Sequence, residues 1–182
     1  MERVPREEFV PVEFRRLAYA DVPLPLPYDQ TISQPYMVAL TCQALGLEGS
    51  ERVLDVGTGS GYAAAVLAEL ADEVHSIERI PELAEHAREI LERTGYARVR
   101  VHVGNGSLGL PDHAPFDAIA VAAASSAVPD ALWAQLRKDG RVVIPLEIGG
   151  GEQRLCVLQR APAGPQLIAS IPARFVPLVT GH

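Results

Sequence analysis

The sequence predicts an α/β fold in which helices cover both faces of a mostly parallel β-sheet and antiparallel strands extend one edge. Two observations lead to this prediction. Between residues 35 and 150, short apolar segments of strand length alternate with segments of helical periodicity, and such alternation is typical of parallel sheets. After residue 150 the helical periodicity ends, and two short apolar segments flank a turn rich in proline and glycine, which is typical of a hairpin.

The length of 182 residues suits one domain, because domains commonly hold ~100–200 residues. Within this single domain, residues 1–182, we expect three parts. They are an N-terminal covering segment (1–34), an αβ core (35–150) and a set of C-terminal strands (151–182). The covering segment is expected to be irregular or extended, because it is rich in proline, which fixes φ and lacks a backbone donor.

The core is expected to begin with a helix at 35–45, whose apolar residues share one face and which Gly46 ends. Further helices are predicted at 62–70, 81–94 and 129–138, and the strands between them at 52–56, 74–78, 99–103, 116–122 and 142–145. The C-terminal hairpin is predicted to pair residues 155–158 with 166–169 around a turn at 161–165.

Composition and charge exclude several functional classes. No segment approaches the ~18 consecutive apolar residues of a membrane helix, and the N-terminus lacks the apolar stretch of a secretory signal. Cys42 and Cys156 form no CxxC pair, so we expect a reduced, cytoplasmic protein. The net charge of −7 argues against broad nucleic-acid binding, which needs Lys and Arg to neutralise phosphates. We expect a monomer without membrane or nucleic-acid partners.

A glycine-rich loop follows the first predicted core strand, with glycines at positions 57, 59 and 61. A dinucleotide-binding loop would instead carry its third glycine at position 62, which is Tyr62 here. Asp55 precedes the loop, and its carboxylate would repel a pyrophosphate but could hold the ammonium of an amino-acid moiety. S-adenosylmethionine has such an ammonium and no phosphate. The loop, including Gly57, Thr58, Gly59 and Gly61, therefore predicts this cofactor.

Two later positions fit the same cofactor. Glu78 ends the second core strand, about twenty residues after the loop, where an acid can accept hydrogen bonds from both ribose hydroxyls, and Arg79 follows it. Asn105 and Gly106 follow the third strand, where the Asn105 carbonyl could accept a hydrogen bond from the adenine amino group. A plain turn is the simpler explanation for this Asn-Gly pair. Together these positions predict a Rossmann-like, S-adenosylmethionine-dependent methyltransferase.

Four segments make the prediction more specific: VPREEFVP at 4–11, QTISQPYMV at 30–38, SIERIPEL at 76–83 and RFVPL at 174–178. With them, nearly the whole chain resembles the protein-L-isoaspartate O-methyltransferase family. The resemblance implies methyl transfer from S-adenosylmethionine to the free α-carboxylate of L-isoaspartyl residues in damaged proteins or peptides. The ester then cyclises to a succinimide, which initiates repair. At position 105 the family usually has aspartate instead of asparagine, which predicts weaker cofactor binding.

The resemblance also implies roles for individual residues. It places Ser33 at the active site as catalytic and substrate-binding residue, with Thr31 and Ile32 beside the cofactor. It implies that Val176 contacts the isoaspartyl substrate through its backbone. From the sequence alone, the N-cap of the helix that begins at Pro35 is the favoured role of Ser33, and the resemblance reverses that preference.

Three other functions remain open at this point. One is a methyltransferase of the same fold with a different carboxyl or small-molecule acceptor. Another is a nicotinamide oxidoreductase, which the residue at position 62 disfavours. The third is a non-catalytic module that binds the cofactor and recognises altered proteins. The histidines show no metal-ligand spacing with one another or with the cysteines, so no metal site is expected.

Overall fold

The computed structural model describes residues 1–179. The strands are β1 (Leu24–Leu26), β2 (Gln30–Ile32), β3 (Arg52–Val56), β4 (Glu73–Glu78), β5 (Arg100–Val103), β6 (Phe116–Val121), β7 (Leu136–Glu147), β8 (Gln153–Ala161) and β9 (Gly164–Ala173). The helices are α1 (Pro35–Leu45), α2 (Tyr62–Ala68), α3 (Pro81–Arg93) and α4 (Asp130–Gln135). This order of strands and helices confirms the predicted α/β fold.

The main sheet has seven strands in the order β5-β4-β3-β6-β7-β8-β9. The first five are parallel, and β8 and β9 continue the sheet in antiparallel pairing, as the sequence predicts. The strand order reverses between β3 and β6, because the chain first runs outward to β5 and then returns to the other side of β3. Ligands of open α/β sheets bind at such a switch point, outside the carboxyl ends of the strands.

Apolar side chains pack on both faces of the sheet. One cluster joins α1, α2 and α3 to the N-terminal segment, with Leu45, Val66, Ile90 and Phe9 among its buried members. The other cluster contains side chains of β3, β4 and β6 together with Leu132 of α4. The central strands are buried from both sides, which explains why they read as nearly continuous apolar segments in the sequence.

The N-terminal segment has more regular structure than the sequence predicts. It forms 3₁₀ turns at Arg6–Phe9 and Val12–Leu17, and β1 pairs with β2 in an antiparallel hairpin. Tyr28 and Asp29 turn this hairpin with φ angles of 62° and 56°. Proline is compatible with β1 because a strand at the edge of a small sheet does not need every backbone donor.

The predicted helix at 129–138 is wrong in its last turn. α4 ends at Gln135, and Leu136 already pairs with Phe116 of β6. Pairing resumes between Arg141 and Ala118, so the intervening residues bulge out of the ladder. Pairing with β6 therefore overrides the local helical pattern, an effect that depends on a strand about twenty residues earlier in the sequence.

Both cysteines are free and buried. None of the helices within residues 1–179 combines the length and the apolarity needed to cross a lipid bilayer.

Candidate functional site

A cavity of about 370 Å³ opens at the carboxyl ends of the central parallel strands. The loop after β3, the end of β4, the N-terminal hairpin and the segment after β9 all line it. Ten of the predicted site residues are among its lining residues: Thr31, Ile32, Ser33, Gly57, Thr58, Gly59, Glu78, Arg79, Gly106 and Val176. The structure thus brings together positions from five separate parts of the chain.

Backbone hydrogen bonds fix the glycine loop against β4. The N–H of Gly57 donates to the Ile77 carbonyl over 2.9 Å, and the N–H of Gly59 donates to Glu78 Oε2 over 2.9 Å. Gly61 does not line the cavity. A Cβ at Gly61 would lie 3.3–3.4 Å from the side chains of Leu91 and Ala87, so this glycine permits close packing of α2 on α3.

The Glu78 carboxylate is held at the end of β4 by backbone donors on either side. Its Oε2 accepts the bond from Gly59, and its Oε1 accepts a bond of 3.1 Å from the Ile80 N–H. Glu78 is 6% exposed and lines the cavity. Each carboxylate oxygen can accept a further hydrogen bond, so the side chain is positioned to receive two hydroxyl donors from a ligand.

Asp55 lies behind the main cavity. It lines a smaller adjoining cavity of about 30 Å³, which shares Ser33 with the main one. Ser76 Oγ donates to Asp55 Oδ2 over 2.7 Å. Burial raises the pKa of the Asp55 carboxyl to about 7; the charge of Glu78 also raises it, and the Ser76 hydrogen bond opposes both. Contact between Asp55 and a cofactor ammonium stays a prediction.

We expect the Asp55→Asn variant to be more stable than the wild-type chain at pH 8 without cofactor, and the difference to shrink toward pH 5. The pKa of about 7 in the folded chain exceeds the ordinary 3.8, so the wild-type chain loses stability as pH rises through this interval. At ~1.4 kcal/mol per pKa unit, the loss reaches as much as ~4 kcal/mol. Urea unfolding of both chains at pH 5, 6.5 and 8 measures the difference in their free energies of unfolding. A difference that does not change with pH would contradict the prediction.

Ser33 lies in the cavity wall between β2 and α1. The N-cap of α1 is Gln34, and it makes no side-chain capping bond. The interpretation of Ser33 as the N-cap is therefore wrong, which leaves its hydroxyl available for a ligand. The Ser33 carbonyl accepts a hydrogen bond of 2.9 Å from Arg6 Nη2.

Arg6 supports this wall from behind, and the sequence reasoning missed it. Its side chain is fully buried, Nε donates to the Ala18 carbonyl over 2.6 Å, and the guanidinium lies 4.6 Å from the ring centroid of Tyr62. Arg6 thereby links the N-terminal turn, the Ser33 segment and α2. Arg6 could have been noticed because it lies in the segment 4–11, which carries part of the family resemblance. Only the tertiary structure shows which carbonyls it binds.

The segment after β9 forms another part of the cavity wall. Ala124 anchors it, because its N–H donates to the Val176 carbonyl over 2.7 Å and its carbonyl accepts from the Leu178 N–H over 2.6 Å. Arg174 and Phe175 also line the cavity, and neither was predicted as a site residue. Both residues belong to the segment 174–178, which carries part of the family resemblance, but only Val176 of that segment was predicted as a site residue.

Asn105 is not among the lining residues of the cavity. Its Oδ1 accepts from the Ser107 N–H over 3.0 Å and from Ser107 Oγ over 2.7 Å, so the side chain caps the 3₁₀ turn at Gly106–Leu108. Gly106 does line the cavity, and a Cβ there would lie 2.6 Å from Val56 Cγ1. Contact between Asn105 and adenine stays a prediction, and its oxygen already accepts two bonds.

Solved structures share this architecture. A protein-L-isoaspartate O-methyltransferase superposes with a TM-score of 0.85 at 29% identity, over 96% of this chain and 58% of that one. A structure from Plasmodium falciparum, solved in complex with S-adenosyl-L-homocysteine and described as a member of the same family, superposes with a TM-score of 0.81 at 25% identity. That alignment covers 99% of this chain and 88% of the other.

Sequence relatives agree with the structural ones. The protein-L-isoaspartate O-methyltransferase 2 of Marinobacter nauticus is 57% identical over 98% of this chain and 82% of its own length. The protein-L-isoaspartate O-methyltransferase of Ignicoccus hospitalis is 51% identical over 98% of this chain and 86% of its own length. The family profile described as protein-L-isoaspartate(D-aspartate) O-methyltransferase matches residues 1–182. The chain belongs to this family of S-adenosylmethionine-dependent enzymes.

Proposed function

We propose that Ser33 and the backbone at Val176 hold the acceptor in the reaction of this family. That reaction transfers a methyl group from S-adenosylmethionine to the free α-carboxylate of L-isoaspartyl residues in damaged proteins or peptides. The observation that carries the assignment is that Ser33 and Val176 line the same cavity as the glycine loop and Glu78. An acceptor held at Ser33 and a donor held at Glu78 would therefore share one cavity.

The lining residues fit S-adenosylmethionine. Glu78 offers two carboxylate oxygens to the ribose, and the glycine loop lets a ligand approach the backbone closely. Val56 and Ile77 give apolar surface next to Gly106, which suits a flat base. The ionised form of Asp55 suits the ammonium. When bound, the cofactor supplies an electrophilic methyl group on a sulfonium.

The protein's task on the acceptor side is positioning. A free carboxylate has an ordinary pKa of roughly 3.5 and is ionised at neutral pH, so no general base is needed. Ser33 Oγ can donate one hydrogen bond that orients the carboxylate, and Arg174 brings a positive charge to the same cavity. Correct alignment of reacting atoms can supply as much as ~7–11 kcal/mol of rate acceleration.

The direct test uses labelled S-adenosylmethionine and two peptides that differ only in an aspartyl or isoaspartyl linkage. Base-labile methyl groups on the isoaspartyl peptide alone are expected. Equal labelling of both peptides would favour a less selective carboxyl methyltransferase. Cofactor binding without labelling of either would favour a different acceptor or a binding-only role.

We expect Ser33→Ala to lower kcat/KM for the isoaspartyl peptide by roughly 10–150-fold, because a hydrogen bond to a charged group contributes ~1.5–3 kcal/mol. The dissociation constant of S-adenosylhomocysteine should change less than about twofold, since the loss lies on the acceptor side. Ser50→Ala removes an exposed serine and is the matched control. Unchanged kcat/KM in Ser33→Ala would contradict the assigned role.

The expected location is the cytoplasm and the expected state a monomer. Free, buried Cys42 and Cys156 are consistent with a reducing compartment. The net charge of −7 disfavours nucleic acid as a partner. Light scattering after gel filtration tests the monomer, and a mass of twice 19.6 kDa would contradict it.

A further inference from the structure

Three histidines that are distant in sequence converge on one face of the sheet, away from the cavity described above. His75 lies on β4, His102 on β5 and His113 in the 3₁₀ turn Pro111–His113. Their ring centroids are 4.3–5.3 Å apart. None of the three lines the cavity that contains Ser33 and Glu78, so methyl transfer does not account for the cluster.

The spacing of the ring nitrogens resembles that of metal ligands. His75 Nδ1 and His102 Nε2 are 3.1 Å apart, and one nitrogen of each histidine lies within 4.8 Å of the others. Tetrahedral Zn²⁺ with Zn–N bonds of ~2.0–2.1 Å places its ligand atoms roughly 3.3 Å apart. Two of the nitrogens already have this separation. The third lies on a short surface turn, where a displacement of about 1.5 Å would bring it to ligand distance.

A carboxylate orients the most buried of the three rings. His75 Nε2 is 3.1 Å from Glu73 Oε1. Glu73 Oε2 also accepts a hydrogen bond of 2.6 Å from Arg52 Nε, so this ion-paired carboxylate acts as an acceptor. His75 must therefore carry its proton on Nε2 and direct the lone pair of Nδ1 toward His102. A histidine that donates one N–H to a carboxylate while its other nitrogen is free to bind is the usual outer-shell arrangement of metal sites.

The charges around the cluster favour nitrogen-preferring ions. Glu73 is paired with Arg52 over 2.6 Å and with Arg100 over 2.5 Å, so its charge is largely offset. A cation here would be bound by imidazole nitrogens, which suit Zn²⁺, Co²⁺ or Ni²⁺ much better than Mg²⁺ or Ca²⁺.

We propose that His75, His102 and His113 form a binding site for a divalent transition-metal ion of the Zn²⁺ class. His75 is fully buried and the other two are half-buried, so the ion would enter from solvent and keep water as its fourth ligand. Because His113 arrives from the segment between β5 and β6, a bound ion would tie that segment to the sheet. Spacing along the chain predicts no metal site, since it cannot reveal this convergence.

The test uses the full chain without an affinity tag, stripped with a chelator, and Zn²⁺ and Co²⁺ as probes. Calorimetry is expected to show one Zn²⁺ per chain, and Co²⁺ to give the visible absorption of a tetrahedral nitrogen and oxygen site. His102→Ala and His113→Ala should each weaken Zn²⁺ binding at least tenfold. His86→Ala removes an exposed histidine of α3 and should leave binding unchanged. These variants keep the buried His75, whose truncation would endanger the fold.

A stability measurement gives an independent readout. At a free Zn²⁺ concentration of about 100 Kd, the wild-type chain should gain roughly 5–10 °C in Tm, and the His102→Ala/His113→Ala double variant should gain none. The proposal is overturned if the wild-type chain shows no saturable 1:1 binding. It is also overturned if the double variant binds as tightly as the wild type, or if Co²⁺ spectra show thiolate ligation by Cys42 or Cys156.

Discussion

Replacing Glu78 by alanine is expected to weaken binding of S-adenosylhomocysteine by about 100-fold or more. Two hydrogen bonds from ribose hydroxyls to a carboxylate would be lost, each contributing ~1.5–3 kcal/mol. The same change leaves the N–H groups of Gly59 and Ile80 without their acceptor, so the glycine loop keeps only its backbone bonds to Ile77 of β4. Titration calorimetry with S-adenosylhomocysteine measures the effect directly.

Two further variants separate the contributions at this position. Glu78→Gln keeps one acceptor oxygen and should show an intermediate loss of affinity. Glu82→Ala removes an exposed acid from the first turn of α3 and should bind as the wild type does. An affinity of Glu78→Ala within threefold of the wild type would show that the ribose is held elsewhere.

The second large effect is expected at Arg6. Arg6→Met should lower the free energy of unfolding by about 3 kcal/mol, because the Ala18 and Ser33 carbonyls lose buried charged donors and the stacking on Tyr62 is lost. The Ser33 segment should also lose its support, so kcat should fall more than cofactor affinity. Urea unfolding, monitored by the fluorescence of Trp133, measures the loss of stability. Peptide methylation assays measure the fall in kcat.

Two control variants test whether the guanidinium of Arg6 and its buried position are both needed. Arg6→Lys should recover only part of the stability, because a single ammonium lacks the fork of donors that spans two carbonyls. Arg3→Met changes an arginine whose side chain is 85% exposed and should cost little. If Arg6→Met unfolds within 1 kcal/mol of the wild type, Arg6 is not the link between the N-terminal turn and the site.

The predictability of this fold depends on how local each signal is. β3, the glycine loop and Glu78 were predictable, because a buried strand, a backbone turn and the spacing to the next strand end all lie within about thirty residues. The end of α4 was not predictable, because it depends on the pairing of Leu136 with Phe116, which lies twenty residues earlier in the sequence. The β1–β2 hairpin was missed for a different reason, because the prolines in this segment locally argue against regular structure.

The same distinction applies to the site. The resemblance at 30–38 and 174–178 indicated Ser33 and Val176, and both line the cavity. Asn105 lies outside the cavity lining and its Oδ1 accepts two hydrogen bonds from Ser107, so its contact with adenine stays a prediction. Arg6 was not singled out and no histidine cluster was expected, because the residues that each contacts lie eleven or more positions away in sequence.

Two parts of the cavity wall come from distant parts of the described chain, residues 29–34 and residues 174–179. The glycine loop and β4 lie between them in sequence. On the ribosome, residues 174–179 are therefore synthesised last, long after Ser33, the glycine loop and β4. If the proposed roles hold, we expect a nascent chain lacking residues 174–179 to bind cofactor before it can hold a peptide. Removal of the same residues by a protease should likewise uncouple cofactor binding from methyl transfer.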